Sequence, residues 1–301
     1  MTKSIDFVSN FKKANIVSTI FFLLSLLFIF FKGLNYGIDF KGGTLIELRT
    51  ESSIGPSLIR STLSSMDLGD INVKKFGKDG DYLIKVEQKS SNDNNLIAEI
   101  KKNLSDNLNA EVNFRRVENV GPKVSSELLE SSVIAISLAL AAMLFYIWVR
   151  FEWQFSIGSI IALFHDVIIT LGIFSILSLE INLSIIAAVL TIVGYSMNDT
   201  VVIYDRIREN LYKYSKISIS EVANLSINET LARTIITSAT TLLALLSIYI
   251  LGGEILRGFS FAMILGVLIG TYSSIFVASP ILKFLRVSYK TLEKKEEKIV
   301  P

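Results

Sequence analysis

Asn198 and Asp199 lie within IVGYSMNDTVVIYDRIREN, residues 192–210, a run otherwise apolar enough to cross a bilayer. A charge at the centre of a membrane helix costs about 2.5–3.5 kcal/mol on insertion scales. Asp199 sits about one and a half turns inward of Asp205-Arg206, where the helix is expected to reach the interface. An acid kept there marks an ion path by default; the bland readings are a structural ion pair and a carboxylate that snorkels to the near interface. The next apolar run, LARTIITSATTLLALLS, places Arg233, Thr237, Thr240, Ala244 and Ser247 on one helical stripe. Asp199 and Arg233 are equidistant from Lys216, so a symmetric antiparallel hairpin sets them at similar depth. A facing arginine favours the carboxylate, and without it desolvation favours the neutral acid. An acid pushed both ways in two packings can take up a proton on one side and release it on the other. Asp199, Arg233 and Asn198 are the candidate proton path.

The single histidine, His165, adjoins a second acid, Asp166, in ALFHDVIIT. Adjacent helical residues do not face each other, so the two are not expected to share one partner face. Histidine titrates near neutral pH. His165 and Asp166, with Thr237 and Thr240, are therefore a candidate relay, with a structural hydrogen bond across helices as the alternative. Gly258, Ala262, Gly266, Gly270 and Ser274 recur at every fourth position, a spacing that lets a neighbouring backbone approach closely. That stripe serves either a sliding interface or ordinary tight packing.

The elements that position these groups are apolar helices. Half of the 301 residues are hydrophobic, 19% are charged, and mean hydropathy is +0.50. Six runs have the roughly 20 residues that a bilayer requires: 14–34, 128–149, 156–178, 182–204, 233–251 and 258–282. The first is too long for a signal-peptide core and lacks a small-x-small cleavage site, so a retained anchor is expected. Basic residues gather at Lys3, Lys12 and Lys13, at Arg206, Arg208, Lys213 and Lys216, and at Lys283, Arg286 and Lys290. The positive-inside rule then sets both termini in the cytoplasm and 35–125 on the far side. The expected divisions are 1–34 with the first helix, 35–125, helices two to six within 126–285 with a cytoplasmic loop at 205–232, and a tail at 286–301. The loop is expected to hold a helix of its own. The tail carries the Lys/Glu run 290–298.

Residues 35–125 change character, with mixed charge and no long apolar run. Strand patterns at 42–50, DINVKKFG, DYLIKVEQ and 110–120 alternate with helical patterns at 56–66 and 95–108. Lys78-Asp79-Gly80 supplies a hairpin turn. The order β-α-β-β-α-β predicts a small ferredoxin-like α+β domain. Without cysteine, and with no metal-spaced set or catalytic triad, no cofactor, metal or enzyme activity is expected. GIDFKGG is glycine-rich, but after a membrane run its Gly42-Gly43 are expected to bend the chain into the first strand.

GYSMNDTVVIYDRIREN (194–210), YGIDFKGGTLIEL (36–48), FHDVIITLGI (164–173) and LARTIITSATTLLALLSIYILGG (231–253) resemble, in order, the SecF family of the bacterial SecD–SecF export machinery. That resemblance implies membership of the resistance-nodulation-division superfamily, with two six-helix halves in pseudo-two-fold symmetry. It implies work beside SecD and the SecYEG channel, with SecA acting first and YajC and YidC as further associates. The proton gradient would help draw unfolded preproteins across the inner membrane, and some members run on sodium. It also places proton-path roles on Asp199 and Arg233. Met197 and Thr200 depart mildly from the family pattern. Nucleic acid is not an expected partner. The rivals are a small-molecule or lipid exporter, of which this chain has half the spans, and a passive scaffold.

Overall fold

The computed structural model describes residues 5–51, 54–66, 68–75, 77–86, 96–108, 111–289 and 291. Lys3, Lys290 and, but for Thr291, the run 290–298 lie outside the described residues. The chain divides into a helical unit, residues 1–35, 136–179 and 184–301, and a sheet unit, residues 36–135 and 180–183. The sheet unit thus takes in more than the expected 35–125. Backbone and side-chain bonds explain the extra turn: Gly37 N–H donates to Ile181 O at 2.9 Å, and Leu183 N–H donates to Asp39 Oδ2 at 2.8 Å. Lys85 forms an ion pair with Glu180.

In the sheet unit, β1 (Gly43–Thr50), α1 (Pro56–Ser64), β2 (Ile71–Lys75), β3 (Asp81–Val86), α2 (Leu96–Leu108) and β4 (Val112–Val120) follow in that order. The strands lie in the order β2-β3-β1-β4, every neighbouring pair antiparallel. Alternation gives the sheet its inner face. Ile46, Leu48 and Ile84 point to one side and meet Ile59, Leu63, Ile100 and Leu104 of the two helices. Gly42 and Gly43 have φ of +80° and +126°, so the turn into β1 uses backbone that other residues rarely adopt.

Arg49 grips Asp81 with two bonds, Nε to Oδ1 at 2.5 Å and Nη2 to Oδ2 at 2.6 Å, with Arg115 at 3.8 Å. The hydrogen-bonded Arg49 guanidinium holds the Asp81 carboxyl below the usual carboxylate range, and burial opposes it only in part. A depressed folded-state value stabilises the fold above the unfolded value, about 3.9, and that stabilisation is lost as pH falls through the folded value. Asp81→Asn is therefore expected to melt at lower temperature than the parent at neutral pH. Thermal unfolding of the full chain in detergent should show the gap closing below about pH 4.

Among the described residues six helices are long and apolar enough to span a membrane: Val8–Lys32, Pro122–Arg150, Trp153–Ile176, Leu183–Lys213, Ile219–Leu251 and Leu256–Phe284, here spans one to six. In spans three, four and six, 50–56% of the most apolar window is buried, against 11–17% in spans one, two and five. The first group forms the interior, and polar groups there must find partners within the protein. The expected loop 205–232 is corrected: span four continues to Lys213 and span five begins at Ile219. Polar pairing carries these extensions. Arg206 Nε meets Glu229 at 2.6 Å, and Asn210 donates to Ser226 and Glu229 at 2.9 and 2.7 Å. Ser218 and Glu221 form a reciprocal capping box that starts span five.

Candidate functional site

Two parallel helix pairs set the geometry. Ser18 Oγ meets His165 Nε2 at 2.5 Å, a Cβ on Gly172 would collide with Ser25, and Ser175 Oγ donates to Phe28 O at 3.0 Å. The offset is constant, so spans one and three run side by side in one register. Span one is exposed along most of its length; within Phe11–Lys32 its buried residues are Phe11, Ser18 and Ser25, every seventh position. Spans four and six are joined likewise: Ile185 by Gly258, Ile192 by Gly266, Ser196 by Gly270, and Tyr204 donating to Ala278 O at 2.9 Å. Ala262 and Ser274 of the same stripe are fully buried.

Asp199 is 3% exposed. Its bonded neighbour is Thr271 of span six, whose Oγ1 donates to Oδ2 at a long 3.4 Å. Thr271 in turn bonds Ser238 of span five at 2.8 Å, so one chain of hydroxyls links spans five and six to the acid. Among the described residues no lysine or arginine stands within 4 Å of Asp199. Arg233 is exposed on span five. The expected stripe lies along the outer side of span five in this chain. Arg233, Thr240, Ala244 and Ser247 are exposed and Thr237 half-buried, and both threonine hydroxyls donate to carbonyls of their own helix. The inward stripe is Thr234, Ser238, Thr241 and Leu245, displaced by one residue, or about 100° of helix rotation. Asn198 is exposed. Thr234 Oγ1 is buried and has no hydrogen-bond partner among the described residues.

A second cluster surrounds Asp166, which is fully buried. His165 Nδ1 lies 2.9 Å from Asp166 Oδ1, while Ser196 and Ser273 donate to Oδ2 at 2.5 and 2.7 Å. As expected of neighbours on a helix, the two meet different partners, His165 on span one and Asp166 on spans four and six, while the imidazole also turns back onto the adjacent carboxyl group. With that ring nitrogen donating, His165 Nε2 is left to accept from Ser18. Every polar side-chain atom of His165 and Asp166 then has a partner. Asp199 is held far less completely, by the one long bond from Thr271.

The family model described as "Protein export membrane protein SecD/SecF, C-terminal" matches residues 100–288, and "SecD/SecF GG Motif" matches 27–54. The protein translocase subunit SecF of Rickettsia bellii is 47% identical over 287 residues, 94% of each chain. The chain belongs to the SecF family of protein-export membrane proteins. Another SecF-family relative, from Desulfurispirillum indicum, is 44% identical over 94% of each chain. The crystal structure of SecDF, a translocon-associated membrane protein from Thermus thermophilus, aligns at TM-score 0.85 and 36% identity over 94% of this chain. A SecDF in a super-membrane-facing form aligns at TM-score 0.70 and 34% identity over 99%. This SecF-family chain spans 39% and 40% of those two SecDF chains.

Thr271, Ser238, Ser18, Ser196 and Ser273 were not among the sequence candidates. The seven-residue recurrence of Ser18 and Ser25 in an otherwise apolar span was a readable sign of an inward face in this SecF-family sequence. Ser273 and Thr271 carried no such sign, being two of several hydroxyls in TYSS.

Proposed function

We propose that this chain is the SecF-type half of an ion-driven export motor, acting beside a SecD-type partner to assist SecYEG- and SecA-dependent passage of unfolded preproteins. YajC and YidC are further associates. The setting is the bacterial inner membrane, with both termini cytoplasmic and the sheet unit exported. The strand order β2-β3-β1-β4 with two helices on one face favours the ferredoxin-like arrangement for that unit. The role is mechanical, without an enzyme active site or cofactor, and the coupling ion is the proton, with sodium as the alternative.

The observation that carries this reading is Asp199, buried inside the bundle with one long neutral hydrogen bond. Uptake of a proton removes the charge, and the Asp199–Thr271–Ser238 chain passes that change to spans five and six. The unbonded Thr234 hydroxyl lies one turn from Ser238, toward Arg233, and supports a polar route between the exposed guanidinium and the buried acid. His165 and Asp166 are a structural centre next to that route in this reading. One charge crossing about 100 mV is worth about 2.3 kcal/mol, close to a fifty-fold bias between two packings.

The ion is tested in inverted membrane vesicles carrying the chain with its SecD partner. A protonophore is expected to remove the gradient-dependent part of preprotein uptake, and a sodium ionophore to leave it. The opposite pattern makes sodium the coupling ion, and insensitivity to both overturns ion coupling.

A further inference from the structure

The ion route above leaves Asp166 without a task, although it gathers more buried hydrogen bonds than Asp199. We propose that Asp166 is a positioning residue for Asp199: through Ser196 and Ser273 it fixes span six against span four, and so aims the Thr271 hydroxyl at the Asp199 carboxylate. This rests on the reading of Asp199 as the ion-binding acid.

Both serines are close in sequence to the groups they would position. Ser196 is one turn before Asp199 on span four, and Ser273 is two residues after Thr271 on span six. Their hydroxyls converge on one oxygen, Asp166 Oδ2. A Cβ on Gly270 would stand 2.9 Å from Ser196 Cβ, so the two helices are nearly in backbone contact at this level. A small rotation of span six here would carry Thr271 away from Asp199, whose bond to it is already 3.4 Å.

Span six needs such an anchor because its own hydrogen bonding is irregular from the next residue on. Ser274–Ala278 form a π turn, and Pro280 has no N–H to donate to the preceding turn. Ser279 Oγ bonds Ser274 O at 2.9 Å, and Tyr204 of span four holds Ala278 O. Asp166 thus secures one end of the π turn and Tyr204 the other, with span four contributing Ser196 and Tyr204. The remaining Asp166 oxygen faces His165, itself bonded to Ser18 of span one and stacked on Phe22. Among the described residues no lysine or arginine lies within 4 Å of Asp166, so hydroxyls and imidazole hold its carboxyl group in place.

Dicyclohexylcarbodiimide, which modifies protonated carboxyls in apolar surroundings, gives a readout that needs no export. The full chain in membranes is labelled across a pH series, and modification at Asp199 is measured by peptide mass. Ser196→Ala with Ser273→Ala is expected to move the pH profile by about one unit, a tenfold change in proton affinity. Thr271→Val is expected to move it equally, and the serine changes to add nothing in that background. Ser273→Ala alone, which only removes a hydroxyl, serves the same comparison where the pair lowers yield. A parental profile in the serine variants, or shifts that add to that of Thr271→Val, overturns the positioning role. A shift with Asp166→Asn but not with the serine variants also overturns it, because the charge then acts through space. No pH-dependent labelling of Asp199 in the parent overturns both this role and the reading on which it rests.

Discussion

Asp199→Asn is expected to lower gradient-dependent export more than tenfold, to the level of membranes lacking the chain, with abundance and SecD association unchanged. The asparagine keeps the shape of the side chain and its Oδ1 still accepts from Thr271, so the Asp199–Thr271–Ser238 geometry survives. What is lost is the ability to alternate between charged and neutral. One proton crossing about 100 mV supplies about 2.3 kcal/mol, so its loss removes close to a fifty-fold bias. A passive scaffold predicts a different pattern: removing a buried, poorly partnered charge leaves export intact or even raises yield. Rates of preprotein uptake with and without an imposed gradient, alongside co-purification with the SecD partner, separate the two. Parental export by Asp199→Asn would refute the ion site.

The matched placement of Asp199 and Arg233 along their helices was legible in the sequence, and the partner of the acid was not. Asp199 lies fourteen residues before the end of span four, and Arg233 fourteen after the start of span five, so the symmetric hairpin holds in length. Rotation decides the contact instead. Thr and Ser occupy both the Thr237–Thr240 face and the Thr234–Ser238–Thr241 face, and composition does not say which one turns inward. Packing settles it: Ser238 meets Thr271, while the outward face is left exposed.

The sheet unit was readable because each strand alternates with a period of two and the turns carry glycine. The spans were readable by length and apolarity, whereas their ends were not. Span four continues past the hydrocarbon length as a helix whose polar residues pair with span five, and a hydropathy reading stops where the apolar run stops. The Asp166 cluster was hidden for a related reason. Its donors come from spans one, three, four and six, and a lone serine in an apolar helix carries no mark of the carboxylate it will meet.

Gly266→Ala is expected to destabilise the helical unit by about 1–3 kcal/mol, the usual range for forcing extra carbon into a filled interior. Its added Cβ would come within 2.8 Å of Ile192 Cγ2 and closer still to Cγ1 and Cδ1. Ile192 is 1% exposed and β-branched, so it has few rotamers into which to retreat. In lipid, close packing is the main force between helices, and little else offsets the loss. Gly258→Ala is the matched control on the same stripe, since its Cβ would stand 3.4 Å from Ile185 Cδ1, an ordinary contact. Thermal unfolding of the full chain in detergent should place Gly258→Ala near the parent and Gly266→Ala well below it. Ile192→Ala in the Gly266→Ala background is expected to recover much of the loss, because it vacates the space that the new methyl takes, so the two changes combine non-additively. Equal effects at Gly258 and Gly266 would mean that the parallel seam of spans four and six is not packed as described.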